Sequence, residues 1–314
     1  MATFATLKKS SSDLDRLTKE IDKINTPAST KEEDTRFWKI ERDKSGNGAA
    51  IIRFLPENSV DGEDALPWIR FWDHGFQGPD EKWYIENSLT TLGQKVKDPV
   101  SEFNSWLWNR ESFDGSPSRK QAQKQKRRLH YISNILVISD PKHPEFDGTV
   151  KLYKYGKKIF DKITLAMNPE FEGDAKINPF DFWKGANFKL RIRTVDNYPS
   201  YNESLFESQS VLADNDKKLE EIWKNEYPIK EFIAADKFKT YDELKERLDM
   251  VLENDPLYQE FLSKASKTIK VPGTAVKTER TVAKSTPVKE ETPPFAVDED
   301  DDDADLKAFK ALAS

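Results

Sequence analysis

The 314-residue chain has no cysteine, three histidines and three methionines. Without cysteine there can be no disulfide framework, no thiolate zinc centre and no cysteine nucleophile. His74, His130 and His143 are scattered and lack the one-helix-face spacing of zinc hydrolases. No run approaches the roughly 20 apolar residues of a membrane span, and residues 1–12 lack the apolar centre of a secretory signal. Ser45-Gly46-Asn47-Gly48 is followed by no Lys-Ser/Thr pair, so it is not a phosphate-binding loop. Carboxylates are too numerous to single out an acid–base pair. A non-enzymatic, intracellular binding protein is the expectation.

Eight Trp, nine Tyr and 19 Phe are many for a chain with 34% charged residues and a mean hydropathy of −0.79. They supply a core and leave aromatics for a surface. The net charge of −6 conceals a segregation: nine acids between Glu290 and Asp305, against Lys307 and Lys310, give residues 290–314 a net −7. Residues 1–289 therefore sum to +1. The low isoelectric point belongs to the tail, and the body remains compatible with a polyanionic partner.

Three segments follow. Residues 1–30 read as a basic arm and a short helix with Leu14, Leu17, Ile21 and Ile24 on one stripe. Residues 31–265 form the folded body. Residues 266–314 form a Lys/Thr/Pro-rich linker and an acidic run expected to be disordered. Within the body, Phe37–Glu41 and Ala49–Leu55 flank a turn and predict a hairpin, with positive φ at Asn47-Gly48. Strands are predicted over Tyr131–Ser139, Thr149–Tyr155 and Phe188–Val195. Helices are predicted over Lys217–Lys224 and Tyr241–Leu252, the latter with a Thr240/Glu243 capping box and a Leu244–Leu248–Leu252 stripe. The fold class is α+β.

Three stretches suggest binding. Between Asp114 and Asp140 there is no acid, while Arg119, Lys120, Lys124, Lys126, Arg127 and Arg128 lead into His130 and Tyr131. Alternation in the second strand places Lys151, Tyr153 and Tyr155 on one face, extended by Lys157 and Lys158. In the third, Lys189, Arg191 and Arg193 share a face, and Tyr198 and Tyr201 follow. Cations beside aromatics, with no acid on either face, suit a phosphate backbone carrying stackable bases.

The same segments carry a family resemblance. "GNGAAIIRFLP", "HGF…KWYIE", "YGKKIFDKI", "FWKGANFKLRIR" and "YNES" resemble, in order over residues 36–250, the single-stranded DNA-binding (helix-destabilising) proteins of T-even-type bacteriophages. The resemblance implies an OB-fold β-barrel core with a basic, aromatic-lined cleft, to which Tyr84 of "KWYIE" is added as a candidate. It implies cooperative self-association through a basic arm, for which Lys8-Lys9-Ser10 is the matching motif. It also implies that the acidic tail recruits replication and recombination proteins such as a polymerase, a helicase loader or a recombinase mediator. The implied role is sequence-independent, non-enzymatic binding in phage replication, recombination and repair, in the host-cell cytoplasm. An RNA-preferring protein and a recombinase or helicase accessory are the alternatives.

One departure stands out. The family typically holds zinc with one His and three Cys; His74 matches the histidine, while Ser88, Asp98 and Ser101 take the cysteine positions. Neutral hydroxyls are poor zinc ligands, so no metal or other cofactor is expected. The stretch with Phe103, Trp106 and Trp108 is the expected substitute core.

Overall fold

A computed structural model describes residues 34–268, apart from Glu63, Gln94, Asp114, Glu172 and Asn197. The proposed arm and the acidic tail lie outside the described residues. The chain divides into residues 1–36 and residues 37–314. Of the first unit, residues 34–36 are described, with Arg36 donating to Asp34 at 2.9 Å.

The second unit is mixed α+β, as the sequence predicts. Its strands are β1 (Phe37–Trp38), β2 (Gly48–Phe54), β3 (Ile69–Gln77), β4 (Trp83–Asn87), β5 (Arg128–Ser139), β6 (Val150–Gly156), β7 (Ala186–Val195), β8 (Tyr198–Ser200) and β9 (Leu205–Gln209). Its helices are α1 (Pro99–Arg110), α2 (Pro117–Lys124), α3 (Lys157–Met167), α4 (Asp216–Lys224), α5 (Tyr241–Val251) and α6 (Pro256–Thr268). The main path runs β1-β6-β5-β2-β7-β8, with β3 and β4 branching from β5 and β9 from β7.

The long strand β5 organises the body. One edge pairs with β6 over His130–Leu136; the other pairs with β3 over Arg128–Ile132 and with β2 over Ile135–Ser139. One strand therefore belongs to two sheet regions, an arrangement consistent with an OB-type core. Its near-continuous apolar run follows, because both of its faces are covered. One face packs Ile52, Phe54, Tyr131, Ile135, Tyr153, Tyr155 and Phe188 against Ile159 and Ile163 of α3. Ile132 and Leu152 join Ile69, Phe71 and Ile229 in a separate cluster.

A further cluster gathers Phe76 and Tyr84 with Val100, Phe103 and Leu107 of α1, Ala122 of α2, Leu248 and Val251 of α5, and Tyr258 of α6. The expected substitute core is thus found around Phe103, with Trp106 and Trp108 packed on its margin. α5 forms with the predicted capping box, and Leu244, Leu248 and Leu252 are buried.

Three local expectations need correction. The Phe37–Leu55 stretch is not a hairpin: β1 pairs in parallel with β6, and β2 pairs with β5 and β7. The turn between them is an Asx turn in which Asp43 accepts from Ser45 and Asn47, and the positive φ is Gly46's, at +80°. Lys157 and Lys158 do not extend β6 but open α3, where Lys157 pairs with Asp161 at 2.9 Å.

Candidate nucleic-acid interface

On β3, alternation sends Arg70 and Trp72 to one side and Phe71 and Asp73 to the other. Arg70 is exposed and lies beside Tyr131 in register; Trp72 lies beside Leu129. The guanidinium of Arg127, just before β5, stacks on Trp72 with its carbon 4.2 Å from the ring centroid. Arg127 also donates to Thr90 Oγ1 at 2.9 Å. Burial lowers its pKa, and the charge of Asp98 opposes that effect.

The other side of β3 gathers charge around one carboxylate. Asp73 takes Arg128 at 2.7 Å, His130 at 3.0 Å and Lys154 at 3.6 Å. Burial pushes the Asp73 carboxyl up, but the hydrogen bond and charge of His130 and the charges of Arg128 and Lys154 outweigh this and hold it well below the usual range. Arg128 and Lys154 leave an excess positive charge over Asp73. Gly75 admits the guanidinium, since a Cβ there would lie 2.4 Å from Arg128 Nη2.

A buried polar cluster sits behind the Arg127–Trp72 stack. His74 Nδ1 donates to the Gln125 carbonyl at 3.0 Å, since a carbonyl only accepts, and its Nε2 lies 3.4 Å from Asp98. Asp98 caps α1 by accepting from the Ser101 backbone, and it also accepts from Leu89 N and Ser88 Oγ. Burial pushes this carboxyl up, yet the His74 contact and the two backbone donors prevail and hold it at about 2. Asn104 donates to the same Gln125 carbonyl at 3.0 Å.

Residues 46–252 match the family described as "gp32 DNA binding protein like". The chain belongs to that family. It is 35% identical over 225 residues to the single-stranded DNA-binding protein of Enterobacteria phage T2, covering 70% of this chain and 71% of that one. It is 33% identical over 241 residues to the protein of the same name in Enterobacteria phage T4, covering 75% and 76%.

Within this gp32-like body, the sequence-predicted residues divide into three groups. Tyr84, Tyr131, Tyr153 and Tyr155 are 1, 6, 6 and 4% exposed. Their expected stacking role is corrected, because such rings offer no face to a base. Tyr84 stacks on Phe76, Tyr131 on Phe160 and Tyr153 on Tyr155. Alternation suggested that one face of β6 was free, but α3 packs over that face and the opposite one is also covered.

The predicted cationic faces also meet acids from neighbouring strands and turns. Lys189 pairs with Glu207 at 2.7 Å and Arg193 with Glu203 at 2.8 Å, while Lys151 lies over the Phe146 ring. Alternation within β7 cannot reveal an acid arriving from β9.

Arg191 is exposed, and Arg127, Lys126, Lys158, Tyr198 and Tyr201 are half-buried. Lys8, Lys9 and Ser10 lie outside the described residues. The sequence reading missed Arg70, Trp72 and Thr90. β3 carries aromatics on both faces, so its alternation is silent; the basic run ending at Arg128 was the available clue.

The four positions corresponding to the zinc ligands do not fit a metal. His74, Ser88 and Asp98 converge, and Ser101 meets Asp98 through its backbone nitrogen. The set offers one imidazole and one carboxylate, and both carboxylate oxygens already accept hydrogen bonds. Among the described residues, no group of three or more His, Cys, Asp or Glu could hold a metal ion.

Proposed function

We propose that this chain binds single-stranded DNA without sequence preference and serves phage DNA replication, recombination and repair from inside the infected cell. The observation that carries the reading is the stacked Arg127–Trp72 pair beside exposed Arg70, in a chain matching two single-stranded DNA-binding proteins over at least 70% of its length. A guanidinium held on an indole offers charge for a phosphate and a planar surface for a base, neither of which reads sequence. Arg128 and Lys154 around Asp73 add positive charge on the opposite side of β3, and Lys126, Lys158, Arg191, Tyr198 and Tyr201 are further candidate contacts. Cooperative self-association belongs to Lys8, Lys9 and Ser10, and recruitment of replication and recombination partners to the acidic tail. No catalytic step is assigned. Among the described residues, no helix is long and apolar enough to cross a membrane.

Titration of labelled oligo-dT, the matching RNA and a duplex at two salt concentrations tests the reading. The single-stranded DNA is expected to bind most tightly, with affinity falling steeply as salt rises. Charge reversal at Arg127 and Arg128 together is expected to weaken binding to all sequences alike and to flatten the salt slope by about one to two phosphate contacts. A preference for RNA, or an unchanged slope, would return this surface to another role.

A further inference from the structure

The polar cluster and the Arg127–Trp72 stack are joined by a continuous run of hydrogen bonds. Ser88 Oγ donates its single proton to Asp98 at 3.0 Å, so in its 3.0 Å contact with Thr90 the Thr90 hydroxyl is the donor. Thr90 Oγ1 in turn accepts from Arg127. The run therefore has one polarity: guanidinium to hydroxyl to hydroxyl to carboxylate. Such aligned bonds strengthen one another in a low-dielectric interior.

The same short segment also holds the ring. Ser88 N donates to the Trp72 carbonyl at 2.8 Å, and Trp72 N donates to Thr91 Oγ1 at 2.8 Å. His74 and Asn104 meanwhile converge on the Gln125 carbonyl, anchoring the end of α2 two residues before Arg127. Both partners of the cation–π pair are thus tied to residues 88–91, and those residues are tied to Asp98.

We propose that the His74–Asp98–Ser88–Thr90 relay, with no metal ion, holds Arg127 on Trp72 in the orientation that meets the nucleic acid. The inference rests on the single-stranded DNA reading and assigns Thr90, Ser88 and Asp98 as positioning residues. At the positions where the family resemblance implies a metal site, this chain uses hydrogen bonds that reach the proposed binding surface itself.

The test uses the full chain and an oligo-dT probe. Arg127→Gln is expected to weaken binding about tenfold, the scale of one hydrogen bond to a charged group. Thr90→Val keeps the shape and removes the hydroxyl; it is expected to weaken binding about three- to tenfold and to reduce the salt slope, while Thr90→Ser restores both. In the Thr90→Val background, Arg127→Gln is expected to cost less than it does alone, as coupled residues require. Ser88→Ala provides a second break in the relay. Protein purified with added zinc is expected to retain no stoichiometric metal, and a chelator to leave affinity and melting temperature unchanged.

Normal affinity and salt slope in both folded Thr90→Val and Ser88→Ala overturn the relay, as does stoichiometric zinc that is lost in Asp98→Asn. If Arg127→Gln alone leaves affinity unchanged, the interface reading falls, and the relay's proposed purpose falls with it.

Discussion

Tyr153 and Glu226 show what burial does to a single side chain. The Tyr153 ring meets Trp38 edge-on at 5.5 Å and stacks on Tyr155 at 5.3 Å. Tyr153→Ala should therefore act first on stability, lowering it by about 3 kcal/mol as a large cavity opens. Denaturant unfolding measures this, and DNA affinity of the still-folded fraction should change little. Glu226 is buried, and among the described residues neither carboxylate oxygen has a hydrogen-bond partner. Burial, with the charge of Glu57 adding to it, pushes its pKa up to about 9. Because the folded-state value lies above the ordinary one, its protonated form favours folding. That contribution is complete below about pH 4.5 and is lost as pH rises toward 9. Glu226→Gln is expected to raise the melting temperature at pH 8, by the equivalent of about 2 kcal/mol, and to leave it nearly unchanged at pH 4. A gain of equal size at both pH values would exclude charge burial as the cause.

At the scale of elements, helix ends were written plainly in the chain and strand partners were not. Thr240 and Glu243 form a reciprocal cap at the start of α5, and Asn215 caps α4. Thr240→Ala is expected to cost about 1 kcal/mol in thermal or denaturant unfolding. These signals are legible because a cap is satisfied within four residues. The pairing of β1 with β6 is different, since it joins residues more than 110 apart in sequence. The start of α1 is equally local: Asp98 accepts from the Ser101 backbone and Pro99 opens the first turn.

For the whole molecule, opposing titrations shape stability. Asp98, held at about 2, and Asp73, held lower still, favour folding above the ordinary carboxylate range, and that stability is lost as pH falls through their folded values. Glu226 acts in the opposite sense on the alkaline side. Charge segregation adds a further expectation. The tail lies outside the described residues; its nine carboxylates are expected to compete with DNA for a basic surface. Deleting Glu290–Ser314 is expected to raise affinity for oligo-dT, most at low salt, and to abolish capture of partner proteins. Unchanged low-salt affinity would leave the tail a docking or solubility element.

The sequence by itself determined the α+β class, four of the sheet's longer strands, two helices, one of them with its capping box, the charge segregation and the family. Each of these depends on periodicity, local capping or residue identity, which survive without coordinates. Only the tertiary structure decided which face of β6 is covered, because that depends on α3 folding back over it. It also decided which cations meet acids, because Glu203 and Glu207 lie 10 and 18 residues beyond the bases they pair with. The joining of Trp72, Thr90, Asp98 and Arg127 into one relay has the same origin: four residues spread over 56 positions are brought together by β3, the turn after β4, the cap of α1 and the entry to β5. Side-chain alternation tells which residues share a face, and only packing tells what that face meets.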